Sequence, residues 1–249
     1  MYFQFDKRTL YIILGALLVL TIINLGTFNL IATLLTLPGV ILALSFHEFA
    51  HAFVSDRLGD TTPRNQGRLT LDPLKHIDPV GIFLLIFAHI GWGKPVQINP
   101  KNFSKISESK GEALVALAGP VMNFILAFIL MIIFYVILIF VPGTGILASF
   151  NAINIMNIII TIIYYAIIIN IGLGVFNLIP IPPLDGSKIF LKFLPYRAQR
   201  WIDNNMQMIS LVFMVLFIFG ILGYITSPVI SVIMKGMQYL VEAILSIFI

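Results

Sequence analysis

Long apolar runs dominate this chain of 249 residues, of which 59% are hydrophobic and only 10% are charged. A water-soluble domain carries about a quarter charged residues, so the main solvent of this chain is the lipid bilayer. Runs of about 20 apolar residues are long enough for a helix to cross the hydrocarbon core. The sequence therefore predicts an all-α polytopic membrane protein.

Charged and turn-forming residues divide the chain into six candidate membrane spans. These are residues 10–25, 29–54, 113–141, 153–176, 208–225 and 229–249. No small-residue cleavage pattern follows the first run, so it is interpreted as a retained helix and not as a signal peptide. The apolar segment 80–90 covers only about half a bilayer, which favours a re-entrant or interfacial piece. The sequence predicts five to six transmembrane helices, depending on whether the last helix crosses the membrane.

The positive charges lie in three loops, at residues 55–78, 92–112 and 186–205, each of which carries four Lys or Arg residues. The positive-inside rule places these loops, and with them the N-terminus, on the cytoplasmic side of the cell membrane. The net charge of +4 then reflects membrane topology, and nucleic acid is not expected as a partner. The chain has no cysteine, so a metal site must use His, Asp or Glu.

The polar motif His-Glu-Phe-Ala-His at residues 47–51 interrupts the second predicted span. His47 and His51 are four residues apart, so they share one helix face and can both ligate zinc, with Glu48 beside the metal as a candidate general base. A position at the membrane rim would explain polar residues, but it would not require this spacing. Ionisable residues at membrane depth are costly and usually mark a function.

A catalytic zinc ion normally takes a third protein ligand, and neither third-ligand pattern of the soluble enzymes with this motif is present here. The remaining candidates are Asp60, Asp72, His76, His89 and Asp185. Asp185 is the best of them, because it follows a span that descends to the same predicted side as the His pair. Three prolines between residues 177 and 186 cannot continue a helix, so this segment is predicted to be extended and rigid.

Three motifs together resemble the site-2 protease family of intramembrane zinc metalloproteases. They are residues 47–51, Ala-Gly-Pro-Val-Met-Asn at 118–123, and Asn-Leu-Ile-Pro-Ile-Pro-Pro-Leu-Asp-Gly at 177–186, and they cover a catalytic core of about 35–190. The resemblance implies one Zn²⁺ per chain, held by His47, His51 and Asp185. It also implies Glu48 as the catalytic base and Asn177 near the scissile carbonyl.

The resemblance extends to the compact branch of this family, which lacks additional regulatory domains. It implies a single membrane domain over residues 1–249 and substrates that are transmembrane segments or membrane stubs of other proteins. Two other functions stay open, namely a zinc-binding transporter and a proteolytically inactive membrane scaffold. Glu48 argues against transport, because a transit site has no special need for a base beside the metal.

Two further features near this core have two interpretations each. Asn123 either donates a hydrogen bond in the catalytic cleft or braces two helices beside Gly119, where a small residue allows close approach. Residues 94–98 alternate in a strand-like way and form either a small strand-like element that pairs with an unwound substrate or an interfacial loop.

Overall fold

The structure, a computed structural model, describes residues 30–79, 81–82, 93–140 and 155–247. The predicted first span at 10–25 lies outside these residues, as does nearly all of the apolar segment 80–90. The described part is helical and contains no β-strand. Its only β-type pairing is an isolated antiparallel bridge between Ile77 and Gly93.

Nine α-helices make up the described part of the chain. They are α1 (Leu30–Leu58), α2 (Thr62–Asn65), α3 (Pro73–His76), α4 (Glu108–Phe140), α5 (Ile155–Asn177), α6 (Asp185–Phe190), α7 (Tyr196–Asn204), α8 (Met206–Ile218) and α9 (Ile221–Leu245). Four of them, α1, α4, α5 and α9, are long and apolar enough to cross a membrane, and α8 is a shorter apolar helix. The predicted class, an all-α multi-pass membrane protein, is confirmed.

The predicted bounds of the last two spans were wrong. The run 208–225 is not one helix, because the backbone turns at Gly220, whose φ of 70° lies in the left-handed region that favours glycine. Residues 226–228, which separate the two predicted spans, lie inside α9. The hydroxyl of Ser227 donates to the carbonyl oxygen of Gly223 at 2.6 Å, so this polar residue is satisfied within its own helix.

Helices α1, α4 and α5 pack against one another, and α9 packs against α4 and α5. The backbones of α1 and α5 come close at Gly39, where an added Cβ would lie 2.7 Å from the Cα of Ala166. Small residues permit such close helix contacts in membranes, where packing replaces the hydrophobic effect as the driving force. The apolar core consists of Ala127, Met131, Phe134, Ile160, Ile167, Ile171, Val175 and Val241.

The outward face of α4 is apolar at helical spacing, as expected for a surface in contact with lipid. Its exposed members include Leu117, Val121, Ile125, Ile129 and Ile133. A cluster of buried polar residues that includes His47, His51, Asn123 and Asp185 lies at one end of the bundle, where the C-terminal parts of α1 and α5 meet the N-terminal part of α4. At 1.5 Å per residue, His47 lies about 16 Å from the end of α1 at Leu58. The fold thus buries a polar centre among long helices, of which α4 has an apolar outward face.

Candidate metal centre

Three potential metal ligands from two distant parts of the chain converge in this polar centre. The Nε2 atoms of His47 and His51 each lie 3.1 Å from Oδ2 of Asp185. The two imidazole rings come from successive turns of α1, with centroids 4.6 Å apart, and Asp185 begins α6. All three residues are at least nine-tenths buried. A ligand atom of each lies within 4.8 Å of those of the other two.

The outer nitrogen of each imidazole faces an oxygen acceptor. Nδ1 of His47 lies 2.6 Å from Oδ1 of Asn123, and Nδ1 of His51 lies 2.6 Å from the carbonyl oxygen of Val115. Each Nδ1 must therefore carry a proton, so that each Nε2 has a lone pair when the imidazole is neutral. Such outer hydrogen bonds fix the tautomer and orientation of metal-binding histidines.

The inner atoms of the centre fit a bound cation. Two Nε2 lone pairs and a carboxylate oxygen face one another, and none of these three atoms carries a proton to share when both imidazoles are neutral. A divalent metal ion between them would satisfy all three. A set of two His and one carboxylate, with a further position for water, is a known ligand set of catalytic zinc.

The backbone of α4 approaches both imidazole rings at Gly119. A Cβ added there would lie 2.6 Å from Cε1 and Nε2 of His47 and 2.6 Å from Cε1 of His51. Carbon atoms do not approach ring atoms this closely without displacement, so only glycine fits. The close approach expected at Gly119 is therefore present, and its partners are the two histidines.

We expect Gly119→Ala to lower zinc affinity by about 100-fold or more, the upper range for residues that orient metal ligands. The added methyl group must displace both rings from Asp185. Gly172→Ala is the matched control, because a Cβ at that position meets only Cδ1 of Ile230, at an ordinary 3.9 Å. Zinc titration against a chelator of known affinity measures the zinc affinity of both variants. Equal affinities would contradict the conclusion that only glycine at position 119 leaves room for the two imidazole rings.

The segment that leads from α5 to Asp185 is folded into consecutive turns, so the predicted extended conformation was wrong. The N–H of Ile181 donates to the carbonyl oxygen of Ile179 at 2.8 Å, and the N–H of Leu184 donates to Ile181 at 3.0 Å. Backbone groups away from water must find partners, and these turns supply them locally. Gly186 completes the bend, since a Cβ there would lie 2.3 Å from the carbonyl oxygen of Leu178.

Glu48 lies beside the His pair on α1, and its carboxylate contacts the segment 93–99, which we call the strap. Oε2 of Glu48 accepts a hydrogen bond from the N–H of Val96 at 2.7 Å. Residues 94–99 have no regular secondary structure, so the strand-like element is not formed as a strand. The bridge from Gly93 to Ile77 is the part of this segment that pairs as a β-structure does.

Buried polar residues hold the strap at both ends. The guanidinium of Arg68 donates to the carbonyl oxygen of Lys94, and the N–H of Lys94 donates to the carbonyl oxygen of His76 at 2.7 Å. At the other end, the N–H of Asn99 donates to Oδ2 of Asp60 at 2.7 Å. The strap is thus held at both ends of the part that contacts Glu48.

The other candidates for a third ligand have other roles. Burial raises the pKa of the Asp60 carboxyl, but hydrogen bonds from Asn99, Thr62 and Asn102 outweigh it and hold the pKa below its usual range. Asp72 caps α3 by accepting from the N–H of Leu74. Nε2 of His76 lies 2.7 Å from the carbonyl oxygen of Thr70, and burial lowers its pKa. His89 lies outside the described residues.

The remaining predicted residues are also placed. Asn177 ends α5, and its side-chain amide donates to the carbonyl oxygen of Leu173 at 3.0 Å, so its role near a scissile carbonyl stays a prediction. Asn123 donates to α1 and α5 and faces Nδ1 of His47, so it braces the helices and also contacts a residue of the centre. Sequence reasoning missed Asn170, which lies beside Asn123, and the carbonyl of Val115. The first could have been found as an amide side chain inside an apolar span.

Comparisons with known proteins agree with this centre. Residues 35–221 match the model of Peptidase family M50. The chain is 36% identical to "Putative zinc metalloprotease YwhC" of Bacillus subtilis over 77% of this chain and 84% of that protein. It is 29% identical to "Putative zinc metalloprotease Rip2" of Mycobacterium tuberculosis over 74% of this chain and 66% of that protein. No solved structure matches the chain significantly.

Proposed function

The chain belongs to peptidase family M50, the site-2 protease family of intramembrane zinc metalloproteases, and we propose that His47, His51 and Asp185 hold its zinc ion while Glu48 acts as the catalytic base. The observation that carries this proposal is the convergence of the Nε2 atoms of His47 and His51 on one carboxylate oxygen of Asp185. It joins the motif at 47–51 to a residue 134 positions beyond His51.

The three ligands and Glu48 divide the chemistry between them. A zinc ion bound by this set supplies a Lewis acid, which acidifies water and polarises a peptide carbonyl. Glu48 accepts a proton from the attacking water and passes it to the departing amine. The N–H of Val96 donates to this carboxylate and so holds it in place beside the two histidines. Asn177 donates a hydrogen bond to the carbonyl oxygen of the scissile bond through its second amide proton.

The substrates that fit this site are transmembrane segments, or membrane stubs left by an earlier cleavage. A membrane-spanning helix satisfies its own backbone, so its scissile bond is accessible only after local unwinding. A comparison of membrane-protein fragments in cells with and without the active enzyme would identify these substrates. Zinc binding is measured separately on the purified enzyme. If the enzyme binds zinc and the fragment patterns of the two kinds of cell still do not differ, the result weighs against proteolysis.

The site end of the bundle is proposed to face the cytoplasm, with the N-terminus on the same side. The three loops that carry twelve of the fifteen Lys and Arg residues connect the helices at this end. Five to six transmembrane helices follow if the run 10–25 crosses the membrane and the segment 80–90 dips in and returns. The chain then forms a single membrane domain with its catalytic core at about 35–190.

We propose that the strap pairs with an unwound substrate as an added strand, next to the base that takes a proton from the attacking water. Val96→Pro removes the N–H that contacts Glu48, and the proline ring also fixes the backbone angle φ, which disturbs the extended conformation that pairing needs. Loss of one hydrogen bond to a charged group costs about 1.5–3 kcal/mol, so we expect cleavage to fall by about 10- to 100-fold. Val96→Ala is the control, because it shortens the side chain and keeps the N–H. Unchanged cleavage by Val96→Pro in an assay with purified enzyme would refute both the role of the Val96 N–H in holding Glu48 and the pairing of the strap with substrate.

A further inference from the structure

Two asparagines with fully buried side chains meet between membrane-spanning helices behind the metal centre. Asn123 lies on α4 and Asn170 on α5, and neither is exposed. A buried carboxamide without partners costs several kcal/mol in such surroundings. Both side chains are partnered, and the way they are partnered determines which atom each presents to its neighbour.

The orientation of the Asn170 amide follows from its own helix. Its Nδ2 donates to the carbonyl oxygen of Ala166 at 2.8 Å, so its Oδ1 faces the opposite way, toward α4. There it accepts a hydrogen bond from Nδ2 of Asn123 at 3.0 Å. A rotated Asn170 amide would place Oδ1 against the Ala166 oxygen, an unfavourable contact between two acceptors.

The orientation of the Asn123 amide follows in turn from Asn170. Its two amide protons are directed at Oδ1 of Asn170 and at the carbonyl oxygen of Ala43 on α1, each 3.0 Å from Nδ2. Rotation of the Asn123 amide would replace both hydrogen bonds by contacts between oxygens. Oδ1 of Asn123 is therefore the atom that faces Nδ1 of His47.

The two histidines of the centre thus differ in how they are oriented. Nδ1 of His51 faces a backbone carbonyl, which is an acceptor whatever the side chains nearby. Nδ1 of His47 faces an amide, which presents an acceptor or a donor according to its rotation. A donor at that point would favour a proton on Nε2 of His47, the atom that faces Asp185.

We propose that Asn170 is a positioning residue for the metal centre, acting through Asn123 to keep the lone pair of His47 directed at the zinc site. The proposal rests on the proposed function, because it assumes that zinc binds to His47. Asn170 does not touch the ligands and acts two hydrogen bonds away. Its removal leaves Ala43 as the one acceptor that favours the native rotation of Asn123, so His47 should populate both tautomers.

The test compares variants that keep or remove the acceptor at position 170. Asn170→Leu removes it, and zinc affinity is expected to fall by about 10- to 100-fold, the range found for outer partners of metal ligands. Asn170→Asp, neutral in its apolar surroundings, can donate its hydroxyl to the Ala166 carbonyl and present its other oxygen to Asn123, so zinc affinity should stay within about threefold of the wild type. Thr161→Val is the control on the same helix, because the Thr161 hydroxyl donates only to the carbonyl oxygen of Asn157, one turn away on α5.

A second measurement determines the tautomer of the histidine directly in the zinc-free protein, at a pH high enough for both imidazoles to be neutral. Nitrogen-15 chemical shifts should report His47 protonated at Nδ1 in the wild type and in Asn170→Asp. A mixture of tautomers is expected in Asn170→Leu, with His51 unchanged. A purely structural role for Asn170 would move the unfolding midpoint and leave this spectrum as it is.

The outcomes separate this proposal from the proposed function. Failure of the wild type to bind zinc would overturn the function, whereas equal zinc affinity of the wild type and a folded Asn170→Leu would overturn the positioning role alone. Should Asn170→Leu not fold, Asn170→Ser replaces it, because a serine hydroxyl can donate to the Ala166 carbonyl but is too short to reach Asn123. Wild-type zinc affinity and a single His47 tautomer in that variant would also overturn the proposal.

Discussion

Replacing Glu48 with Gln is expected to lower cleavage by about 10²- to 10⁴-fold, the contribution of a positioned general base, while zinc stays bound. Glutamine has nearly the same shape as glutamate and can still accept the hydrogen bond from the N–H of Val96. It cannot take a proton from the attacking water. Cleavage of a membrane substrate by purified enzyme in detergent, with the zinc content measured in parallel, tests this separation.

This substitution also distinguishes the three functions that the sequence left open. A transporter would keep its transit site, formed by the two histidines and Asp185, and would continue to move zinc after Glu48→Gln. An inactive scaffold would show no cleavage in the wild type. Substantial cleavage by Glu48→Gln would leave the protein a protease but would remove Glu48 from the role of base.

The parts of the centre that were predictable are those that depend on residue type and short spacing. His47 and His51 lie four apart in an apolar run, so a shared helix face needs no tertiary information. Asp185 was favoured because spans and charges put its segment on the same side as the His pair. The resemblance to a protease family implies the same three zinc ligands, and the structure brings these residues together.

The parts that could not be predicted depend on backbone atoms and on tertiary contacts. The N–H of Val96 and the carbonyl of Val115 are present in every residue type, so no sequence pattern marks them. Gly220 divides the apolar run at its left-handed turn, but hydropathy alone reads the run as one span. In the Pro-rich segment before Asp185, proline excludes a helix but is compatible both with an extended chain and with successive turns, so the residue types do not decide between the two.

Asp185→Asn is expected to lower zinc affinity by more than about 100-fold, because it replaces a charged ligand with a neutral one. Loss of a residue that only orients a ligand lowers metal affinity by about 10- to 100-fold, and loss of a ligand itself should cost more. The carboxylate is the ligand that the chain brings to the two imidazoles, with Oδ2 facing both Nε2 atoms. At a fixed excess of zinc, a 100-fold loss of affinity removes about 2.7 kcal/mol of the stabilisation that zinc gives the folded protein. Chelator competition and the zinc-dependent rise in the unfolding midpoint measure the same loss independently.

Asp72→Asn is the matched control, since asparagine caps a helix as well as aspartate does and Asp72 accepts from the N–H of Leu74 at the start of α3. It removes the same charge at a position away from the centre, so zinc affinity should stay at the wild-type value. If Asp185→Asn binds zinc as tightly as this control, the contact of Asp185 with both histidines has another purpose. A third ligand would then have to come from elsewhere in the chain, where His89 is the remaining histidine of the original candidates.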